Sequence, residues 1–199
     1  MALQKIHINM IKHIFPLLLF FLFSLSCIAQ DIQRFEGEAN IGLTFPLGNY
    51  HNGEKLVGPE FGLELRYNIP QTPWDCGVLL NASTAVYKYE ETPKTEWYWE
   101  QSNRSVNVIL LGNYNFKQGT KLNPYIGVGL GLSFYESINE VLYKCSGTAF
   151  VFRPRIGIEL FRHLRISMFS TINRTGYHNL GISIGAVIGG RPKKTNTIY

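Results

Sequence analysis

From residue 35 to residue 189 the chain changes polarity at every second position, in one short segment after another. The run from Glu60 to Ile69 shows it best. Phe61, Leu63, Leu65, Tyr67 and Ile69 fall on one face of a strand, and Glu60, Gly62, Glu64, Arg66 and Asn68 on the other, because successive side chains of a strand point to opposite faces. A soluble sheet alternates too, so the fold turns on which face is inside. A closed barrel with its apolar face outward and its charges enclosed is at home in lipid, where every backbone group must be satisfied within the sheet.

The alternation predicts eight strands over residues 34–45, 57–69, 74–87, 105–116, 124–135, 149–161, 164–173 and 179–189. The fifth places Ile126, Val128, Leu130, Leu132 and Phe134 on one face and Gly127, Gly129, Gly131 and Ser133 on the other. Glycine weakens a strand interior, but inside a narrow lumen it leaves room for bulky neighbours. Connections fall into two classes. Residues 70–73, 117–123 and 162–163 make short turns, whereas 47–56, 88–104 and 136–146 make longer loops; residues 174–178 belong to the loop end although few. Short turns at one end and longer loops at the other match outer-membrane barrels. Eight strands put both termini at the short-turn end, which faces the periplasm in that class. Pro59 and Pro154 lie inside strands. A closed barrel has no free edge to excuse a missing donor, so a bulge or a weakened ladder is expected at each.

At 199 residues the chain has room for one domain. Residues 1–29 read as an export signal: Lys5 and Lys12 supply a basic start, an apolar run from Ile14 to Leu25 follows, and Cys27-Ile28-Ala29 offers small residues before Gln30. A retained anchor is the rival reading, although the run is short of the ~20 residues of a spanning helix. Lipidation at Cys27 is a third, with Ser24-Leu25-Ser26 a poor lipoprotein box. The expected organisation is a signal at 1–29, a barrel at 30–190 and a basic tail at 191–199. The whole chain has 19 basic and 14 acidic residues. The signal takes two lysines, and Arg191, Lys193 and Lys194 account for the remaining excess. No basic stripe interleaved with aromatics is left, so nucleic acid is not an expected partner. Cys76 and Cys145 remain after cleavage, the first expected near a strand start and the second in a loop at the other end, too far apart to bridge. There is no metal-ligand spacing, and no cofactor is expected.

The segment Asn123-Pro124-Tyr125-Ile126-Gly127-Val128-Gly129-Leu130-Gly131 resembles a broad family, the small eight-stranded outer-membrane β-barrel proteins of Bacteroidota-type Gram-negative bacteria, related in shape to OmpA-like and OmpX-like barrels. Phe152-Arg153-Pro154-Arg155-Ile156-Gly157-Ile158-Glu159 and the closing Gly185-Ala186-Val187-Ile188-Gly189-Gly190 are similar too. The resemblance covers the mature chain and implies an outer-membrane location among lipid and lipopolysaccharide. It carries no catalytic residues, because one fold hosts many functions.

Three groups of residues are candidates for function. Glu36, Glu38, Glu60, Glu64, Arg66, Arg153, Arg155, Glu159 and Arg165 point inward in this reading, with Glu38, Glu64 and Arg155 at similar depth. A buried charge needs a partner, so a salt-bridge network across the lumen is expected. It is read as a plug, with a gate or ion path as the rival, since eight strands leave room only for side chains or one small ligand. Trp97, Tyr98 and Trp99, in the longest loop, are candidates for recognition of an extracellular ligand or protein; an aromatic belt with Tyr87 and Tyr89 is the plainer reading. Lipid-A deacylases are enzymes on eight-stranded barrels and use a His two residues before a Ser. Here His163 precedes Arg165 and His178 precedes Leu180, so no such motif exists and no enzyme is expected. Asn81, Asn103 and Asn173 open glycosylation triplets, read as coincidence. The expectation is a filled outer-membrane barrel with a structural or loop-mediated recognition role. A narrow porin, a lipid-A-modifying enzyme and a soluble lipocalin-like carrier are its rivals.

Overall fold

The computed structural model describes residues 32–47, 54–90, 98–139, 144–173 and 178–190. The expected signal, the tail and Trp97 lie outside them. Nine strands form: β1 (Phe35–Pro46), β2 (Glu54–Leu56), β3 (Gly58–Asn68), β4 (Trp74–Glu90), β5 (Tyr98–Asn115), β6 (Leu122–Asn139), β7 (Lys144–Leu160), β8 (Leu164–Asn173) and β9 (Asn179–Gly189). β2 and β3 run in line along β4 and make one stave, so the staves number eight. Each pairs antiparallel with its sequence neighbours, and β1 closes on β9. The result is an all-β, up-and-down barrel.

The polarity is inside out. Phe61, Leu63 and Leu65 are 58%, 63% and 60% exposed, while Glu60, Glu64 and Arg66 are 1%, 3% and 1% exposed. This removes the carrier reading, which needs an apolar interior. The ladders lead from Glu36 through Arg66, Gly77, Leu111 and Gly129 to Arg153; the flanking pairs Phe152–Ile172 and Arg155–Phe169 set it level with Thr171, which leads through Asn179 back to β1 at Pro46. One circuit therefore climbs from position 36 to position 46, which with eight staves tilts the strands by about 40°.

Both prolines act as expected. Beside Pro59 the ladder to β4 breaks: Leu56 pairs with Val86 and Glu60 with Ser83, so three residues oppose two in a bulge. Beside Pro154 the register holds, but Arg153 and Pro154 lose their ladder partners on β8. At the short-turn end, aromatic rings cluster on the outer surface. Trp74 packs edge-on against Tyr114 at 5.0 Å between centroids, Tyr114 against Phe116 at 5.1 Å and Phe35 against Tyr67 at 5.3 Å.

Four strands are longer than expected. β4 continues to Glu90 and β5 begins at Tyr98, so most of the expected loop over 88–104 is ladder. Tyr98 and Trp99 thus open a strand instead of lying in a loop. β6 and β7 extend similarly to Asn139 and from Lys144, which places Cys145 in β7. Cys76 is a free, exposed thiol at the opposite end of the barrel.

Candidate functional site

A packing pattern set by the ladders recurs on the inner wall: several of the bulkiest inward side chains face a glycine on a neighbouring strand. Arg66 lies opposite Gly77, Tyr125 opposite Gly157, Arg155 opposite Gly127, Arg165 opposite Gly185 and Phe169 opposite Gly181. A Cβ on Gly157 would come within 2.6 Å of the Tyr125 ring, so the glycine is what lets the ring lie across the lumen.

Three levels of polar contacts fill the barrel. Nearest the short turns, Asn68 Nδ2 donates to Glu36 Oε1 at 2.7 Å, and Gln118 Nε2 donates to Asn68 Oδ1 at 2.9 Å. Asn115 Nδ2 donates to Asp75 Oδ2 at 2.7 Å, and Asn113 Nδ2 donates to the other oxygen of the same carboxylate.

The middle level holds the charges. Arg66 Nη2 donates to Glu36 Oε2 at 2.8 Å, and its Nη1 to Glu38 Oε2 at 2.7 Å and Glu64 Oε1 at 3.4 Å. Arg155 grips Glu64 with both terminal nitrogens, at 2.6 and 2.7 Å, and its Nε donates to Asn113 Oδ1 at 2.9 Å. Arg165 approaches Glu38 at 3.6 Å and lies over the Tyr125 ring at 3.6 Å from its centroid. Tyr125 and Ser167 share a hydrogen bond through their hydroxyls.

Toward the loops, Arg153 bridges Glu60 through both terminal nitrogens, donates to Thr171 Oγ1 at 2.8 Å and lies over the Phe169 ring at 3.5 Å. Removing one member of such a buried pair costs about 3–5 kcal/mol, so these contacts hold the staves to one another from within.

Eight of the nine inward charges read from the sequence join ion pairs. Glu159 does not. It faces Arg165 across the β7–β8 ladder, but the Arg165 guanidinium leans over Tyr125 toward Glu38, and Glu159 makes no ion pair or hydrogen bond among the described residues. The sequence reading did not single out Asp75, Tyr125, Asn113 or Phe169. The same alternation puts each of them inside.

No family model matches the chain, and no curated protein matches it. Solved structures of small outer-membrane barrels do. Neisserial surface protein A is 13% identical, with 77% of this chain and 96% of that chain covered and a TM-score of 0.52. The N-terminal barrel domain of Pseudomonas aeruginosa OprF is 16% identical over 80% and 100%, TM-score 0.43. Ail, the attachment invasion locus protein of Yersinia pestis, is 11% identical over 79% and 97%, TM-score 0.47. The fold is that of an OmpA/OmpX-like barrel.

Within this barrel, His163 stays apart from the inward hydroxyl of Ser183 on β9. His163 sits in the β7–β8 turn, with Nδ1 3.2 Å from the Val187 carbonyl oxygen. Ser183 pairs with Ser167, four residues along β8 from that turn, or ~13 Å at strand rise. Asn81 and Asn173 are buried, at 2% and 7% exposure, so their glycosylation triplets do not face solvent.

Proposed function

We propose that this chain is an outer-membrane barrel with a plugged lumen, its termini in the periplasm, and that it uses its loop end for recognition at the cell surface. The observation that carries the reading is a difference in strand length. β8 and β9 have 10 and 11 residues, whereas β4, β5, β6 and β7 have 17, 18, 18 and 17. A tilted strand crosses a bilayer in about 9–11 residues. The surplus on four adjacent staves therefore stands clear of the hydrocarbon as a continuous wall. Among the described residues its flank on β7 is open: pairing with β8 begins at Val151, and Lys144 to Phe150 have no ladder partner on that side. An unpaired edge is not tolerated in lipid and is a site for strand addition in water. Tyr98 and Trp99 lie at the top of the wall, where aromatic side chains favour binding.

The orientation is tested in a Cys76→Ser, Cys145→Ser background. A membrane-impermeant maleimide added to intact cells should label Thr148→Cys and leave Thr72→Cys unmodified. The opposite pattern overturns the arrangement. Recognition is tested by shortening the β4–β5 hairpin to an Asn-Gly turn between Val86 and Ser102 and comparing whole-cell binding to arrays of extracellular proteins. Equal binding by both forms removes the wall from the role. Lumen packing supports the plug over the narrow porin, and the separation of His163 from Ser183 supports a non-enzymatic role. Lipid-A mass spectra that change with expression of the protein would overturn the latter.

A further inference from the structure

Charge is divided unequally between the two ends of the barrel. At the short-turn end Arg34, Lys117 and Lys121 are exposed and Arg162 is half-buried. Among the described residues no exposed Asp or Glu accompanies them, because Glu36, Asp75 and Glu159 all lie inside. Arg191, Lys193 and Lys194 follow within four residues of Gly190. Glu54, Glu90, Glu100 and Glu136 instead lie at the loop ends of their strands. Below the basic rim a groove opens on the outer face. On β1, Gly37 pairs with Leu65 of β3 and Ile188 of β9, and Ala39 pairs with Leu63 and Ala186. Gly37, Ala39 and Ala186 form a low floor, and a Cβ on Gly37 would meet nothing within 4 Å. Leu63, Leu65 and Ile188 stand up beside it, at 63%, 60% and 80% exposure. The groove continues onto β4 and holds about 570 Å³. The Phe35–Tyr67 ring pair lies one row nearer the turns, and Arg34 comes directly before it.

From this pairing of groove and rim we infer a binding site for an anionic glycerophospholipid. One acyl chain lies in the groove, and the headgroup phosphate meets the basic rim at Arg34. The depth fits. Arg34 is three residues from Gly37 along the chain, ~10 Å at strand rise. A chain lying over Gly37 therefore carries its headgroup past the Phe35–Tyr67 pair, and aromatic rings mark the interface level of such barrels. An arginine stem can lie along apolar surface while its charge reaches the headgroups. Clustered Lys and Arg beside a membrane-spanning element attract anionic lipid. Here the tail adds three positive charges to the end of β9, the strand whose Ile188 walls the groove. A zwitterionic lipid would fill the groove but leave the rim without a counter-charge. A second copy of the chain is the rival occupant. Two copies in one membrane share an orientation, so contact through this face would set rim against rim, and like charges so placed oppose association. The site rests on the reading of the outer face as lipid-covered and is independent of the wall at the loop end.

The test uses the full mature chain refolded into phosphatidylcholine vesicles that contain brominated phosphatidylglycerol, whose bromine quenches a tryptophan it touches. Trp74, Trp97 and Trp99 are replaced by Phe, and a single reporter is introduced by Leu65→Trp at the groove wall or by Leu130→Trp on β6 as the control. At the Leu65→Trp reporter phosphatidylglycerol should bind about tenfold more tightly than brominated phosphatidylcholine, and at the Leu130→Trp reporter the two lipids should bind about equally. Replacing Arg34, Arg191, Lys193 and Lys194 with Gln should abolish the preference. Ala39→Leu and, separately, Gly37→Leu fill the floor and should weaken it with every charge in place. Equal binding of the two lipids at the groove, or the same preference at the control reporter, overturns the inference. So does a preference that survives either the Gln substitutions or the filling of the floor. Displacement by millimolar inorganic phosphate would make the rim a plain anion site, and cross-linked dimers that exclude the brominated lipid would give the groove to a second copy; each result overturns the lipid site. Insertion is read separately, by heat-modifiable gel migration. Failure to insert overturns the membrane reading as well, whereas insertion without lipid preference overturns this inference alone.

Discussion

At the scale of single residues, the lumen is held by guanidinium groups that each serve several partners. Arg155 is the clearest, with three hydrogen bonds, two of them to Glu64. Arg155→Leu leaves a buried carboxylate short of its partner and should lower stability by about 3–5 kcal/mol, seen as a lower temperature for the heat-modifiable gel shift. An unchanged transition would remove Arg155 from the network. The Glu60–Arg153 pair offers the complementary measurement. Arg153→Leu alone should be costly, whereas Glu60→Leu with Arg153→Leu should recover most of the loss, because apolar residues of similar volume replace buried pairs nearly neutrally. A double variant as unstable as the single one would contradict this account.

Much of this site was legible in the chain and part of it was not. Alternation alone assigns Glu38, Glu64 and Arg155 to the interior and to similar depth. It says nothing of where a long side chain leans. Arg165 and Glu159 are adjacent on the wall, yet Arg165 prefers the Tyr125 ring and Glu38. That choice depends on Gly157 leaving space for the ring, a cross-strand fact that requires the register. The residues facing the bulky groups read as isolated glycines until the strands are aligned.

At the scale of elements, the strand ends carry the information that the pattern missed. Alternation marks a strand only where its two faces meet different surroundings. Along Lys88, Glu90, Glu100 and Ser102, and again along Lys144, Ser146 and Thr148, the sequence is polar at successive same-face positions. The apolar row that marks the rest of each strand stops short of them, so these stretches read as loops although they continue the ladders. The β7–β8 turn shows another local departure. Phe161 and Arg162 have φ of 55° and 64°, the left-handed pair of a tight hairpin usually occupied by Asn and Gly. Non-glycine residues held there cost about 1–2 kcal/mol each. Arg162→Gly should therefore stabilise the barrel by about 1 kcal/mol, measured as a rise in the urea midpoint of refolded protein. A fall instead would mean that the Arg162 side chain contributes more than its backbone costs.

At the scale of the whole molecule, the interior is continuous side-chain packing from the Gln118–Asn68 contact near the short turns to the Glu60–Arg153 pair near the loops. Planar bilayers containing the refolded protein should show no steady single-channel steps. Stable unitary currents would restore the porin reading. The apolar outer face and the antiparallel closure were both readable from the sequence, since they follow from a period of two and from connections too short for crossovers.

The unequal staves also bear on the lipid that surrounds them. On the side of β8 and β9, ten or eleven residues at a tilt near 40° cover roughly 25 Å along the barrel axis, close to the apolar band of outer-membrane barrels. That side has no spare length, whereas the opposite side has plenty. In a bilayer of longer acyl chains the mismatch would be one-sided, and the barrel would lean toward its short flank or thin the lipid beside it. Refolding yield should therefore be highest in short-chain phosphatidylcholines and fall as the chains lengthen, with the steepest loss for variants that shorten β8.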